Sequence, residues 1–322
     1  MKYLPANFLP GKQVSRIGLG IPRFGSKVSQ ELAFAMLDIF LANGGTLIDT
    51  ARNYYEWLPD SHGKSEACLG AWMQSRRSRE KICLCTKGGV HNEGQKWQID
   101  LSAIALRKDL SASLEALQTE SIDIYLLHRD EPERPVEEIV DTMQEIAEIG
   151  KVGHIGVANW QLDRIKEANA YAAMHGLRRF DVVQTWWSLA EYTDAFWNDP
   201  HTTHMTDDMY EYLMANNIMA MAYSSQCKGF FQKAVRQGYN NIDDFLRKRI
   251  VTERNLLKLG YIVRLCEEQS VSPTAIVNGY ITCNRLSGVA LVSCSTVQQL
   301  QEVLANVDNT LPQSVIDGLD RL

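Results

Sequence analysis

Short apolar runs rich in β-branched residues alternate along the chain with longer stretches in which apolar residues recur every three or four positions, and the alternation continues almost to the end. The runs at 16–20, 46–49, 82–87, 122–127, 154–158, 182–185, 219–223 and 289–292 read as strands. They are apolar nearly throughout rather than at every second position, as in strands buried on both faces of a parallel sheet. Between them the helical period predicts helices over 30–43, 101–117, 135–149, 161–175, 208–216 and 252–269. Gly44 and Gly150 stand just past two of these stretches, where helices commonly end, and Ser272 followed by Pro273 marks the start of another.

Eight strands with helical crossovers in 322 residues predict the α/β class and a (β/α)8 TIM barrel with long loops on the C-terminal face, one domain over 1–322. A doubly wound sheet is disfavoured because no Gly-x-Gly-x-x-Gly follows a strand and opens a helix. Two connections are too long for turns, 188–207 and 224–251. Both follow strands, so in a barrel both lie on the C-terminal face, where such loops serve binding.

Composition narrows the class. A formal charge of -6 leaves no basic field for nucleic acid or an anionic membrane surface, and the cluster Arg76, Arg77, Arg79 and Lys81 reads as the solvated end of a helix. Seven scattered cysteines show neither Cys-x-x-Cys pairs nor a zinc-type His pattern, as expected of reduced thiols in a cytoplasmic protein. His201 and His204 are too isolated to suggest a metal, and none is expected. The start of the chain lacks the apolar core of a signal peptide, and nowhere do about 18 apolar residues run together, so neither export nor a membrane span is expected.

Active sites of barrels collect where strands end, so polar residues closing the apolar runs carry the chemical signal. Asp49, Lys87 and His128 close the second, third and fourth runs, and Tyr54 lies five residues past Asp49. Each alone has an ordinary reading: a helix cap, a surface ammonium, a core imidazole, a packed ring. Together they form one device. An ammonium held between a carboxylate and a phenol favours the phenolate, which predicts a lowered Tyr54 pKa and a proton donor or acceptor nearer neutrality. Asp49 keeps Lys87 charged, and neutral His128 offers a hydrogen bond to a substrate oxygen.

At this point the chain resembles the aldo-keto reductases. Asp49-Thr50-Ala51-Arg52-Asn53-Tyr54 is similar to that family's Asp-Thr-Ala-x-x-Tyr, Thr86-Lys87 to its lysine motif and Leu126-Leu127-His128 to its histidine motif. The stretch from Gly150 to Asn159 resembles its Gly-Lys-x-Arg-x-x-Gly-Val-Ser-Asn. The resemblance runs from Ile17 to Leu300 and implies hydride transfer from a nicotinamide cofactor to an aldehyde or ketone, with Tyr54 as general acid. It also implies that Asn159 and Gln184 hold the carboxamide and that Tyr223 lies against the nicotinamide ring. Ser224, Gln226 and Gly229 would pass the pyrophosphate, and Ser295, Thr296 and Gln299 would take the adenosine phosphate. NADPH is the implied cofactor, with NADH not excluded.

Several positions depart from that pattern. Ala158 replaces the usual Ser, deleting a hydrogen bond of roughly 0.5–1.5 kcal/mol. Val303 stands where an adenine-contacting Asn is common, and no Arg accompanies Ser295 and Thr296. Tyr55 replaces a frequent Gly, and 56–62 is an insertion that remodels the substrate rim. Trp57, Trp186, Trp187 and Trp197 fall on or near strand-end loops, which suits a sugar-like or aromatic carbonyl compound. Two other readings compete: a redox-sensing or regulatory barrel that binds cofactor with little turnover, and a Schiff-base aldolase using Lys87. The second leaves Asn159, Gln184 and the segment 293–300 unexplained.

Overall fold

The computed structural model describes residues 1–93, 96–193 and 201–322. In chain order its first half runs β1 (Ile17–Gly20), α1 (Gln30–Ala42), β2 (Leu47–Asp49), α2 (Lys64–Arg76), β3 (Cys83–Gly88), β4 (Val90–Glu93), β5 (Lys96–Ile99), α3 (Ala103–Leu117), β6 (Ile124–Leu127) and α4 (Val136–Ile149). The second half adds β7 (His154–Ala158), α5 (Leu162–Met174), β8 (Val182–Trp186), α6 (Asp207–Ala215), β9 (Met219–Tyr223), α7 (Phe230–Gln237), α8 (Asp244–Ile250), α9 (Glu253–Gln269), α10 (Pro273–Thr282), β10 (Gly288–Val292), α11 (Val297–Leu304) and α12 (Gln313–Asp320). Among the described residues eight parallel strands close a barrel in the order β1-β10-β9-β8-β7-β6-β3-β2. Each lies on one of the eight apolar runs, and the fold is the (β/α)8 barrel expected.

Both faces of the strands are buried, and their alternation sorts side chains into two cores. Leu47, Cys83, Cys85, Ile124, Leu126, Val182, Met221, Val289 and Leu291 fill the interior. Ile48, Leu84, Tyr125, Leu127, Val183, Ala290 and Val292 face the helices. That parity sends Asp49, Lys87, Gln184 and Tyr223 inward as each strand reaches its C-terminal end. The opposite end is closed by the first fifteen residues: Leu4, Leu9 and Val14 join the interior core, and Tyr3 bridges to Ser15. Gly156 marks a close approach of β7 to β8, since a Cβ there would lie 2.1 Å from the Val182 carbonyl oxygen.

Helix signals hold in detail at α10, where the Ser272 hydroxyl accepts from Ala275 N at 3.0 Å and Pro273 opens the helix, a cap of about 1 kcal/mol. After α1, Gly44 is left-handed at φ +81°, whereas after α4 the left-handed residue is Lys151 rather than Gly150. The basic cluster after α2 is not simply solvated. Arg76 pairs with Asp38, and Arg79 reaches Asp123 at 2.8 Å.

Three features differ from the expectation. The connection 224–251 is not a plain loop, because α7 and α8 lie within it, packed by Phe230, Phe231, Leu246 and Ile250 onto α9 and α10. An antiparallel hairpin, β4 with β5, follows β3. Helices α2 and α12 also form, the latter burying Val315, Ile316 and Leu319. All seven cysteines are free. No helix among the described residues is long and apolar enough to cross a membrane.

Candidate active site

Registry brings the polar strand ends together. Asp49 is paired with Gly20 and Cys85, and Lys87 with Leu126, so β2, β3 and β6 end side by side. Lys87 is wholly buried, and its Nζ donates to Asp49 Oδ2, to the Thr50 carbonyl and to Tyr54 Oη, each at 2.8 Å. Tyr54 also donates to Asp49 Oδ2 at 3.2 Å. The loop carrying Tyr54 is held from below: Thr50 and Ser65 share a 2.7 Å hydrogen bond, and Arg52 and Thr86 both donate to buried Glu66. The His128 ring meets the Tyr54 ring edge-on, centroids 5.7 Å apart.

Electrostatics assign a protonation state to each group. Burial alone would lower the Lys87 pKa, but Asp49, Tyr54 and Cys85 together outweigh it and Lys87 is firmly an ammonium. Burial and then the Lys87 and Arg129 charges hold His128 far below the ordinary histidine value, so it is neutral. Its Nδ1 is buried without a hydrogen-bond partner among the described residues. Tyr54 corrects the expectation. Lys87 does act to lower its pKa, yet burial, first, and the Asp49 charge raise it well above the ordinary phenol value. The phenol therefore holds its proton tightly in this state.

From Asp49, Tyr54 and His128 a groove of about 830 Å³ runs across the barrel mouth to Ser295, Gln299 and Glu302. Asn159, Gln184, Tyr223, Ser224, Gln226 and Gly229 all line it. Asn159 sits just past β7 at φ +60°; its Nδ2 donates to the His128 carbonyl at 3.2 Å and its Oδ1 accepts from Tyr223 Oη at 2.7 Å. Gln184 donates to Asp49 Oδ1 at 2.9 Å, which joins the carboxamide candidates to the Tyr54 cluster. Beyond β9 the backbone is left-handed at Ser224, Cys227 and Lys228, where a side chain resists it, and at Gly229, where none does; Ser224, Lys228 and Gly229 line the groove. At the far end Ser295 and Gln299 line the groove, but Thr296 does not. Its hydroxyl caps α11, accepting from Gln299 N at 3.2 Å.

An Arg does accompany Ser295, contrary to the sequence reading. Arg23, in the loop after β1, donates to Ser295 Oγ at 2.6 Å and to Tyr55 Oη at 3.1 Å, spanning the groove. Lys228, Lys233 and Arg236 also line it, with Asp243 and Glu302 as the acidic counterparts. A chain of net negative charge thus collects cations at one cleft, which suits a ligand bearing phosphates. The size, the carboxamide-type partners near Asp49 and the cationic far end fit a dinucleotide.

The rim departs from expectation in one place. Trp186 lines the groove, but Trp187 is buried against Tyr210 and Tyr280 outside the barrel. Trp57 stands at the rim, and Trp197 lies outside the described residues. Trp97, from β5, joins the rim unannounced by any sequence motif.

A model of the Aldo/keto reductase family matches residues 16–322. The chain belongs to this family. Among curated aldo/keto reductase relatives, norsolorinic acid reductase B of Dothistroma septosporum is 35% identical over 191 residues, covering 55% of this chain and 47% of that protein. A norsolorinic acid reductase of Emericella nidulans is 27% identical over 336 residues, 95% of this chain and 81% of that protein. An aldo-keto reductase of Bacillus subtilis is 28% identical over 245 residues, 74% of this chain and 66% of that protein. The match thus spans about half the length of the first of these aldo/keto reductases and most of the second. The family's name is that of oxidoreductases of aldehydes and ketones.

Proposed function

We propose that the chain, acting as one cytoplasmic barrel domain, reduces a small-molecule aldehyde or ketone with NADPH in preference to NADH, and that Tyr54 is the general acid. The observation that carries this reading is the buried Lys87 ammonium, 2.8 Å from both the Tyr54 hydroxyl and Asp49 at the head of the groove. Bound NADPH supplies the hydride. Tyr54 gives its proton to the carbonyl oxygen, and its high pKa ensures that the proton is present beforehand. The phenolate left behind faces an ammonium already in place, so its charge is stabilised without rearrangement. Asp49 holds that ammonium by charge and hydrogen bond. Neutral His128 donates to the carbonyl oxygen and orients it toward Tyr54.

The remaining residues hold the cofactor. Asn159 and Gln184 would take the carboxamide, and Tyr223 would lie along the ring. Ser224, Gln226 and Gly229 would follow the pyrophosphate. Ser295 and Gln299, with Arg23, would meet the adenosine phosphate, and Thr296 would shape that end through its cap.

The test follows NADPH absorbance against sugars, short aldehydes, aromatic aldehydes and diketones, with Tyr54→Phe alongside. Turnover that disappears in Tyr54→Phe while NADPH binding survives supports the reading. Wild-type turnover in the variant removes Tyr54 as the acid. Tight NADPH binding with negligible turnover of every carbonyl favours the redox-sensing role.

A further inference from the structure

Beside Tyr54 and His128 lies a second, smaller cleft of about 220 Å³. Aromatic rings supply most of its lining: Tyr54, Tyr55, Trp57, Trp97 and His128. Three of them make a continuous wall. Tyr55 stacks on Trp57 at 4.7 Å and 29°, and Trp57 meets Trp97 edge-on at 5.6 Å and 74°. Neither tryptophan is barrel framework, since Trp57 comes from the loop after Tyr54 and Trp97 from the hairpin strand β5.

Two observations show that packing does not account for this wall. Trp57 and Trp97 remain 45% and 42% exposed, so each leaves a large apolar surface uncovered. Tyr55 sits at φ +59°, a backbone conformation that glycine adopts freely and a side chain resists. A ring is thus retained at a position that disfavours any side chain, and an outlier of that kind beside a reactive group points to function. Asn53 and Arg129 also line the cleft and offer a few polar partners, but the two tryptophans leave the large apolar area. A short aliphatic aldehyde would leave the wall bare. A flat ring system covers it.

We infer that Tyr55, Trp57 and Trp97 form a substrate subsite for planar aromatic carbonyl compounds, the ring system stacking on one tryptophan and meeting the other edge-on while the carbonyl reaches Tyr54 and His128. The inference rests on the carbonyl-reductase reading and gives it a substrate class.

The experiment compares wild type with Trp57→Ala, Trp97→Ala and Tyr55→Gly in the full chain. One readout is saturable quenching of tryptophan fluorescence by naphthol, which has no carbonyl to reduce. The other is the ratio of kcat/KM for naphthaldehyde to that for butanal. Each tryptophan variant should lower naphthol affinity and the kcat/KM ratio by about threefold to tenfold, the value of one aromatic stacking contact. Tyr55→Gly should lower both while melting no earlier than wild type, because it relieves the left-handed backbone. An unchanged ratio and unchanged naphthol affinity in all three variants would overturn the subsite. Naphthol bound through these residues by a chain that reduces no carbonyl would keep the subsite and sink the reductase reading. Butanal reduced as well as naphthaldehyde, with no response to the variants, would do the reverse.

Discussion

Replacing Lys87 by Met removes one charge and little volume, which makes it the sharpest probe of the buried cluster. In the native chain Nζ spends its three protons on Asp49 Oδ2, Thr50 O and Tyr54 Oη, each at 2.8 Å, with no surface exposed. Met leaves Asp49 with Gln184 Nε2 at 2.9 Å and Tyr54 Oη at 3.2 Å as donors, but without a positive charge. Breaking a buried ion pair on one side costs about 3–5 kcal/mol, because the surviving charge is uncompensated. Asp49 can escape that cost by taking up a proton. Protonation is favoured in acid, so the stability deficit is largest at neutral pH and shrinks as pH falls. Removing both charges, as in Lys87→Met with Asp49→Leu, should recover most of the loss. Urea midpoints of the four proteins of this cycle, measured at neutral and acidic pH, provide the assay. A single variant within about 1 kcal/mol of wild type at neutral pH, or a double variant showing the plain sum of the two losses, would refute the reasoning.

Other expectations follow from the same structure. His154, at the closed end of the barrel, is buried, which lowers its pKa, but the Asp181 contact at 2.7 Å and the Phe8 carbonyl outweigh burial and raise it. Its stabilisation is therefore complete below the unfolded histidine value of about 6.5 and is lost as pH rises through the higher folded value. His154→Gln should unfold earlier than wild type in acid and converge with it in alkali; a gap independent of pH would count against this. Arg23→Ala should weaken NADPH binding about tenfold, the worth of one charge-assisted hydrogen bond, and NADH binding less, by fluorescence titration. Equal losses for the two cofactors would remove Arg23 from the phosphate end. Asn159→Gly should melt above Asn159→Ala by the roughly 1–2 kcal/mol that a left-handed side chain costs, since both lose the same amide contacts. Equal melting would mean that the φ of +60° carries no strain.

The barrel was legible because burial on both strand faces writes long apolar runs, and the second, third and fourth of them turn polar where they reach the mouth. Asp49, Lys87 and His128 could be read from that rule alone, whereas Gln184, inside its run, came only with the family resemblance. The pair Trp186 and Trp187 shows what strand parity adds: successive residues face opposite sides, so one lines the groove and the other packs against Tyr210 and Tyr280. Helices of eight and seven residues, α7 and α8, are too short for their period to stand out, although Asp243 caps the latter through Leu246 N at 3.0 Å. The hairpin alternates polar and apolar residues too weakly to register. Arg23 was hidden for another reason, since its contact with Ser295 spans 272 positions. Only barrel closure, which pairs β1 with β10, brings the two loops together. The Tyr54 pKa was misjudged because sequence supplies the charges around a phenol but not the depth at which they act.

If the groove holds the proposed cofactor, its two ends bear unequally on the departures from the family pattern. At its inner end the amides already have partners: Asn159 with Tyr223 at 2.7 Å and with the His128 carbonyl at 3.2 Å, Gln184 with Asp49 at 2.9 Å. A carboxamide arriving there exchanges hydrogen bonds rather than adding them, so each is worth only about 0.5–1.5 kcal/mol net. The hydroxyl missing at Ala158 is a loss of the same small size. At the outer end, the phosphates of the proposed cofactor would meet Arg23, Lys228, Lys233 and Arg236, and hydrogen bonds between charged groups are worth about twice as much. On that reading affinity would be set at the outer end and geometry at the inner end. The Tyr54 to Lys87 contact lies beyond both, buried and complete before any ligand arrives, so changes in cofactor contacts would leave the proposed proton donor in place.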